Sequence, residues 1–308
     1  MHRRQGMSGF LDLPADRTDS ERSRVVVLPL PYEGTVSFGK GAGRGPEAIV
    51  AASAEVEPWD DELGREPCEV GIHTADPVPL AGLDPAVARR RVREEAGRWV
   101  ERGKLLVALG GEHAVSPPVV EAVRSRHGSD TTALVIDAHL DLRDSYRGSR
   151  DSHACASRRM HEGGPVVIVG ARAFERAEIE HARSAGIPVF LARDMAGRDD
   201  WIDAVVEACG PRVHVSFDVD GLDPGLVPAT GTPVPGGLGW YDALRLLWSV
   251  AKRRLIVGLD VVELAPIPGF VAPDFLVAQL TYKLIGYAVA SQETGSLGRP
   301  NTVETEDN

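Results

Sequence analysis

Asp137, His139 and Asp141 occupy alternate positions in the run Asp137-Ala138-His139-Leu140-Asp141, and Asp218 and Asp220 repeat the spacing in Asp218-Val219-Asp220. Alternate side chains of extended backbone project to one face, so each run can aim its polar groups at a single point. His113, in Gly110-Gly111-Glu112-His113, brings the set to two imidazoles and four carboxylates. Carboxylates crowded away from water repel one another and cannot all stay ionised without positive charge, which two divalent cations would supply. Oxygen and imidazole ligands without a thiolate suit a harder cation such as Mn²⁺ rather than structural zinc. Either Asp-containing run alone fits a solvated loop equally well. What points to a metal centre is that each follows an apolar run of the same kind.

Those apolar runs cover residues 25–28, 105–109, 133–136, 166–169, 189–191, 213–217 and 255–259, and they are rich in Val, Ile and Leu. Continuous apolar runs of this length are the pattern of parallel strands buried on both faces. Helical stretches alternate with them over 84–102, 117–126, 174–185, 199–209, 240–251 and 273–290. The first opens with Asp84 at an N-cap position and Pro85 in the first turn. Strand then helix, repeated, predicts an α/β fold, a three-layer αβα sandwich around a mostly parallel sheet. In open parallel sheets ligands bind outside the carboxyl ends of the strands. His113, Asp137, Asp218 and the pair Asp260 and Glu263 all fall at that end. No linker interrupts the motifs, so residues 24–291 read as a single domain. Polar residues 1–23 read as a loose N-terminal arm and 292–308 as a flexible tail.

The chain has 308 residues, 43% hydrophobic composition and a formal charge of −11. An acidic balance argues against nucleic acid or an acidic membrane surface as partner and suits a protein that attracts cations. No run approaches the roughly 18 apolar residues of a membrane helix, and the N-terminus lacks the apolar stretch of a secretory signal. The expectation is a cytoplasmic protein. Cys68, Cys155 and Cys209 are too few and too scattered for a disulfide framework. Residues 39–45, GKGAGRG, lack the phosphate-loop arrangement and read as a flexible loop near the site rim. His73, His127, His161, His181 and His214 have no motif context, and Asp223 reads as a turn-stabilising residue.

GGEHAVS, DAHLDLR and SFDVDGLDPGLVPATGTPVPGG resemble the signature motifs of the ureohydrolase family, which contains arginases and agmatinases. The resemblance runs from PYEGTVSFGKGAGRGPEAI to DVVELAP, nearly the whole chain. It implies one Mn²⁺ held by His113, Asp137, Asp141 and Asp218. A second would be held by His139, Asp137, Asp218 and Asp220, with Asp137 and Asp218 bridging. It also implies a trimeric or hexameric homo-oligomer and a small-molecule guanidino substrate. Arginases of this family usually carry Asn where this chain has Arg143, and SHACASRR is similar to the agmatinase segment, with His153 at the catalytic histidine. Agmatine, cut to urea and putrescine in polyamine biosynthesis, is therefore the first-choice substrate. Aminopropylagmatine, guanidinobutyrate and formiminoglutamate are alternatives, and a catalytically silent metal-binding oligomer is the rival from another class. Val234 departs from the Glu of many agmatinases. In this reading Glu263 pairs with the guanidinium, Asp141 orients the attacking hydroxide while binding metal, and His153 shuttles protons.

Overall fold

The computed structural model describes residues 9–297. Its strands are β1 (Val25–Leu30), β2 (Ile72–Thr74), β3 (Leu105–Gly110), β4 (Thr132–Ile136), β5 (Val166–Ala171), β6 (Val189–Leu191), β7 (Arg212–Asp218) and β8 (Leu255–Val262). They form one sheet in the order β2-β1-β3-β8-β7-β4-β5-β6, and every pairing is parallel. The helices are α1 (Gly45–Ser53), α2 (Pro85–Glu101), α3 (Ser116–His127), α4 (Ala156–Glu162), α5 (Arg176–Ala185), α6 (Ala192–Met195), α7 (Trp201–Ala208), α8 (Trp240–Arg253) and α9 (Ala272–Leu297).

Strand periodicity divides the core in two. Val27, Val107, Leu134, Phe217 and Leu259 face a layer formed by α1, α7, α8 and α9. Val26, Leu106, Ala108 and Val257 face α2 and α3, and Ala133, Val135 and Ile168 face α3, α4 and α5. Each fully buried Val, Leu or Ile contributes about 1.5–3 kcal/mol, which is why both sheet faces must be covered. Helix α2 shows the local logic. The Asp84 side chain accepts from Ala86 N–H at the N-terminus, and Ala88, Val92, Ala96 and Val100 form the buried stripe.

The three-layer expectation holds, with differences in detail. Strand β2 has only three residues and too few apolar ones to stand out, and α1, α4 and α6 were not anticipated. The Gly-rich segment 39–45 is not a free loop. Glu33 accepts from Gly41 N–H (2.8 Å) and Gly43 N–H (3.1 Å), and α1 starts at Gly45. The expected N-terminal arm lies outside the described residues up to residue 8. From residue 9 onward it is docked: Phe10 is fully buried, and the backbone N–H groups of Phe10 and Leu11 donate to Thr74 Oγ1 and Ser53 Oγ, each at 2.8 Å. At the other end α9 continues through Gln292, whose Nε2 donates to Ile256 O. The remainder of the expected tail, 298–308, lies outside the described residues.

Phe10→Ala is expected to destabilise the protein by about 3–5 kcal/mol, as for other buried aromatic truncations. Denaturant unfolding measures this, and a loss below about 1 kcal/mol would mean that the segment contributes no core packing.

Candidate metal centre and cavity

Strands β3, β8, β7 and β4 are consecutive neighbours at the middle of the sheet, although β5 and β6 lie between β4 and β7 in the chain. The chain adds β4, β5 and β6 toward one edge and later returns to fill the gap with β7 and β8, so the crevice sits where strand order reverses. His113 follows β3, Asp137 follows β4, Asp218 ends β7 and Glu263 follows β8. Because all strands are parallel, these residues meet at one edge.

Each group converges through a turn and not through extended chain, contrary to the spacing argument. His139 N–H donates to Asp137 Oδ1 at 2.6 Å, and Asp141 adopts a left-handed backbone with φ 49°. Asp220 N–H donates to Asp218 Oδ1 at 2.9 Å across a short 3₁₀ turn, Val219–Gly221. Glu263 is also left-handed, with φ 67°. Such backbone is costly for a non-glycine residue and persists where surrounding structure imposes it. Gly111 has a different constraint: a Cβ there would lie 2.0 Å from the Tyr32 carbonyl oxygen, so the turn carrying Glu112 and His113 can pack on the chain leaving β1 only as glycine.

The six metal-ligand candidates come together. His113 Nδ1 lies 3.1 Å from Asp137 Oδ2, 3.1 Å from Asp141 Oδ2 and 3.4 Å from Asp218 Oδ2. His139 Nδ1 lies 3.4 Å from Asp137 Oδ1 and 3.1 Å from Asp220 Oδ2. Two sets could each hold a cation, His113 with Asp137 and Asp218, and Asp137 with His139 and Asp220; Asp137 belongs to both. Burial and the neighbouring Asp220 and Asp137 push the Asp218 carboxyl well above its ordinary range. Burial and the charge of Asp137 raise Asp141 to about 6. Burial opposes the charge on His139, but Asp137 and Asp220 outweigh it and lift the imidazole to about 12. The cluster is short of positive charge.

The donor chemistry fits cations. His113 Nδ1 and Asp137 Oδ2 are buried without a hydrogen-bond partner, being close to each other but off the angle a hydrogen bond needs. Beneath them Ser216 and Ser116 hydroxyls both donate to Asp260 Oδ1 at 2.7 Å, and His214 Nε2 meets Asp260 Oδ2 at 2.6 Å. With its proton given to Asp260, Ser216 Oγ accepts from His113 Nε2–H at 3.2 Å. The lone pair on Nδ1 then faces the carboxylates, an arrangement that is repulsive unless a cation lies between.

A cavity of about 370 Å³ opens from this cluster and is lined by Asp141, His153 and Glu263 at its inner end. Glu263 Oε1 accepts from His113 N–H at 2.7 Å, and burial together with Glu112 raises its carboxyl to about 8. Phe38, Tyr146, Phe174 and Glu175 line its outer part, with the Arg143 guanidinium 4.8 Å over the Tyr146 ring and 3.1 Å from Glu175. The Val234 carbonyl accepts from Arg172 Nε and Nη2, and its side chain makes no part of that contact. Asp223 accepts from the N–H groups of Gly225, Gly236 and Gly237, the turn role expected. Sequence reasoning put Asp260 at the ligand end of its strand, whereas it lies inside β8 beneath the cluster, and it missed Ser216, His214, Arg172, Thr35 and Glu112 as supports. Only Asp260 and Glu112 carried a signal, as carboxylates in otherwise apolar or glycine-rich runs.

A model of the arginase family matches residues 23–286. The chain is 42% identical over 294 residues to the N(1)-aminopropylagmatine ureohydrolase of a Synechocystis species, covering 93% of this chain and 96% of that protein. It is 46% identical over 270 residues to the enzyme of the same name from Thermus thermophilus, covering 87% and 92%. The crystal structure of agmatine ureohydrolase from Thermoplasma volcanium superposes with a TM-score of 0.83 at 26% identity, covering 94% of this chain and 97% of that one.

Single substitutions His113→Ala and Asp220→Ala are expected to weaken divalent-cation binding by more than the about 10–100-fold that loss of an outer partner costs. Titration calorimetry with Mn²⁺ checks this, and unchanged affinity in both would remove these residues from any metal site. Saturating Mn²⁺ at about 100 times Kd should also stabilise the fold by about 2.7 kcal/mol, read as a raised Tm that a chelator reverses.

Proposed function

The chain belongs to the arginase family, and we propose that it is a dinuclear Mn²⁺ hydrolase that releases urea from a linear guanidino compound bearing a distal amine. His113, Asp137, Asp141 and Asp218 would hold one cation, and His139, Asp137, Asp218 and Asp220 the other. The observation that carries the reading is the convergence of these six side chains on one point at the inner end of a cavity. When bound, two divalent cations supply Lewis acidity that brings the pKa of water from roughly 15.7 toward about 7.

The protein's own groups do the rest. Glu263 meets the guanidinium, whose positive charge favours ionisation of a carboxyl that burial otherwise raises, and whose planar donor fork a carboxylate matches. Its Oε1 is already tied to His113 N–H, which fixes the carboxylate beside the metal-ligand turn. Asp141 orients the attacking water and passes its proton to the leaving amine nitrogen. Water adds to the guanidinium carbon, the bond from that carbon to the alkylamine nitrogen breaks, and urea and a free amine leave. His153 exchanges protons between the site and solvent. Burial holds its pKa below the ordinary imidazole value, so the ring is neutral near pH 7.

The motifs alone favour agmatine. The relatives at 42% and 46% identity act, by name, on N(1)-aminopropylagmatine, and they shift the choice to that longer substrate. In the outer cavity Phe174 and Phe38 offer aromatic faces suited to an ammonium, while Glu175 and the Tyr146 ring are engaged by Arg143. Agmatine remains the second reading, carried by the SHACASRR segment and the Thermoplasma volcanium structure.

Urea release by Mn²⁺-loaded protein is the test. N(1)-aminopropylagmatine is expected to exceed agmatine in kcat/KM by at least about tenfold, which is about 1.4 kcal/mol of extra binding in the transition state. The reverse order would return the assignment to agmatine, and urea from neither would sink the proposal. Glu263→Gln should retain metal and lose at least about 100-fold in kcat/KM.

A further inference from the structure

The nearest polar partner of the His153 ring is Thr35, on the chain leaving β1. Its hydroxyl offers one proton and two lone pairs. Three contacts share them: Glu112 Oε1 at 2.7 Å, His153 backbone N–H at 3.0 Å and His153 Nδ1 at 3.0 Å. The Thr35 backbone N–H also points at both Glu112 oxygens, at 3.1 and 2.8 Å, so Thr35 faces this fully buried carboxylate as a donor throughout. With its hydroxyl proton committed to Glu112, Thr35 can only accept from His153. One lone pair takes the backbone N–H and the other takes Nδ1–H. Ser152 Oγ, at 3.5 Å from the same nitrogen, is too distant to compete.

We propose that Thr35, anchored by Glu112, is a positioning residue that fixes His153 as the Nδ1–H tautomer and leaves Nε2 as the atom that accepts and releases protons during turnover. The proposal rests on the reading of His153 as the proton carrier. Neutral imidazole has one donor nitrogen and one acceptor nitrogen, so the hydrogen bond made at one sets the chemistry available at the other. His153 lines the cavity, and with Nδ1 turned to Thr35 the nitrogen left for the cavity is Nε2. Two bonds from one hydroxyl, to the backbone and the ring of the same residue, restrict His153 more than a single contact would. The Tyr146 ring, edge-on with centroids 5.8 Å apart, flanks the imidazole. Glu112 also precedes His113 in the chain, so one turn supports both a candidate metal ligand and the proton carrier.

Neutron diffraction from deuterium-exchanged, Mn²⁺-loaded enzyme at pH 7 reads the tautomer directly, and urea-release kinetics read its consequence. Expected are a deuteron on His153 Nδ1 and the Thr35 deuteron directed at Glu112. Thr35→Val should lower kcat by about 10–100-fold with KM within about twofold, and Thr35→Ser should recover most of that loss. A deuteron on Nε2 with Thr35 donating to His153, or a Thr35→Val kcat within about twofold of wild type, would overturn the proposal. If Thr35→Val fails to fold, as judged by Tm and metal content, the wild-type deuteron and the Thr35→Ser kinetics decide. If wild-type enzyme releases no urea from any guanidino compound, the functional reading fails, and the deuteron position still decides the tautomer.

Discussion

Like charges that repel are the constraint on which this structure depends. Asp137, Asp141, Asp218 and Asp220 are all at least nine-tenths buried and lie around two imidazoles, with the His113 lone pair facing the same point. In low dielectric such a cluster is unstable unless cations join it. The shifts in proton affinity express that shortage, with the Asp218 and Asp141 carboxyls raised by burial and like charge, and His139 raised within the same site. A surrounding fold must then do two things: force the groups together and leave an opening through which cations and substrate arrive.

The parallel sheet does the forcing. Buried on both faces, β3, β8, β7 and β4 are rigid, and their shared direction sends every following turn to one edge. Of the five left-handed non-glycine residues among the described ones, two, Asp141 and Glu263, lie where chemistry is expected. Below the cluster the Asp260, Ser216, Ser116 and His214 network sets the orientation of His113 from inside the core. Above it the loop after β1, clipped by Glu33 and by Thr35, forms part of the cavity wall.

Much of this was legible in the sequence because the strongest signals are local. Continuous Val, Ile and Leu runs mark strands wherever both faces are buried, and a His, Asp or Glu within four residues of the end of such a run lies near the strand's carboxyl end. That logic places His113, Asp137, Asp218 and Glu263 with no structure in hand. It fails where convergence depends on turns: Asp137, His139 and Asp141 were expected to share the face of an extended strand, yet side chain to backbone hydrogen bonds and a left-handed Asp141 gather them. Strand β2 escaped because three residues on a sheet edge carry no period. Phe10 escaped because a short apolar stretch between charged segments looks like an arm until the Phe10 contact to Thr74 and the Leu11 contact to Ser53 are seen. Thr35 and Ser216 were invisible for a related reason: a hydroxyl's role depends on residues about 80 to 120 positions away in the chain or on another strand, and only tertiary structure supplies those.

The central claim is that the six side chains gather two cations. Anomalous diffraction from crystals soaked in Mn²⁺, collected at the manganese edge, tests it most directly. The account predicts two peaks per chain, one beside His113 and one beside His139, with Asp137 contacting both. No peak at this edge of the sheet, or manganese bound only elsewhere on the surface, would contradict it.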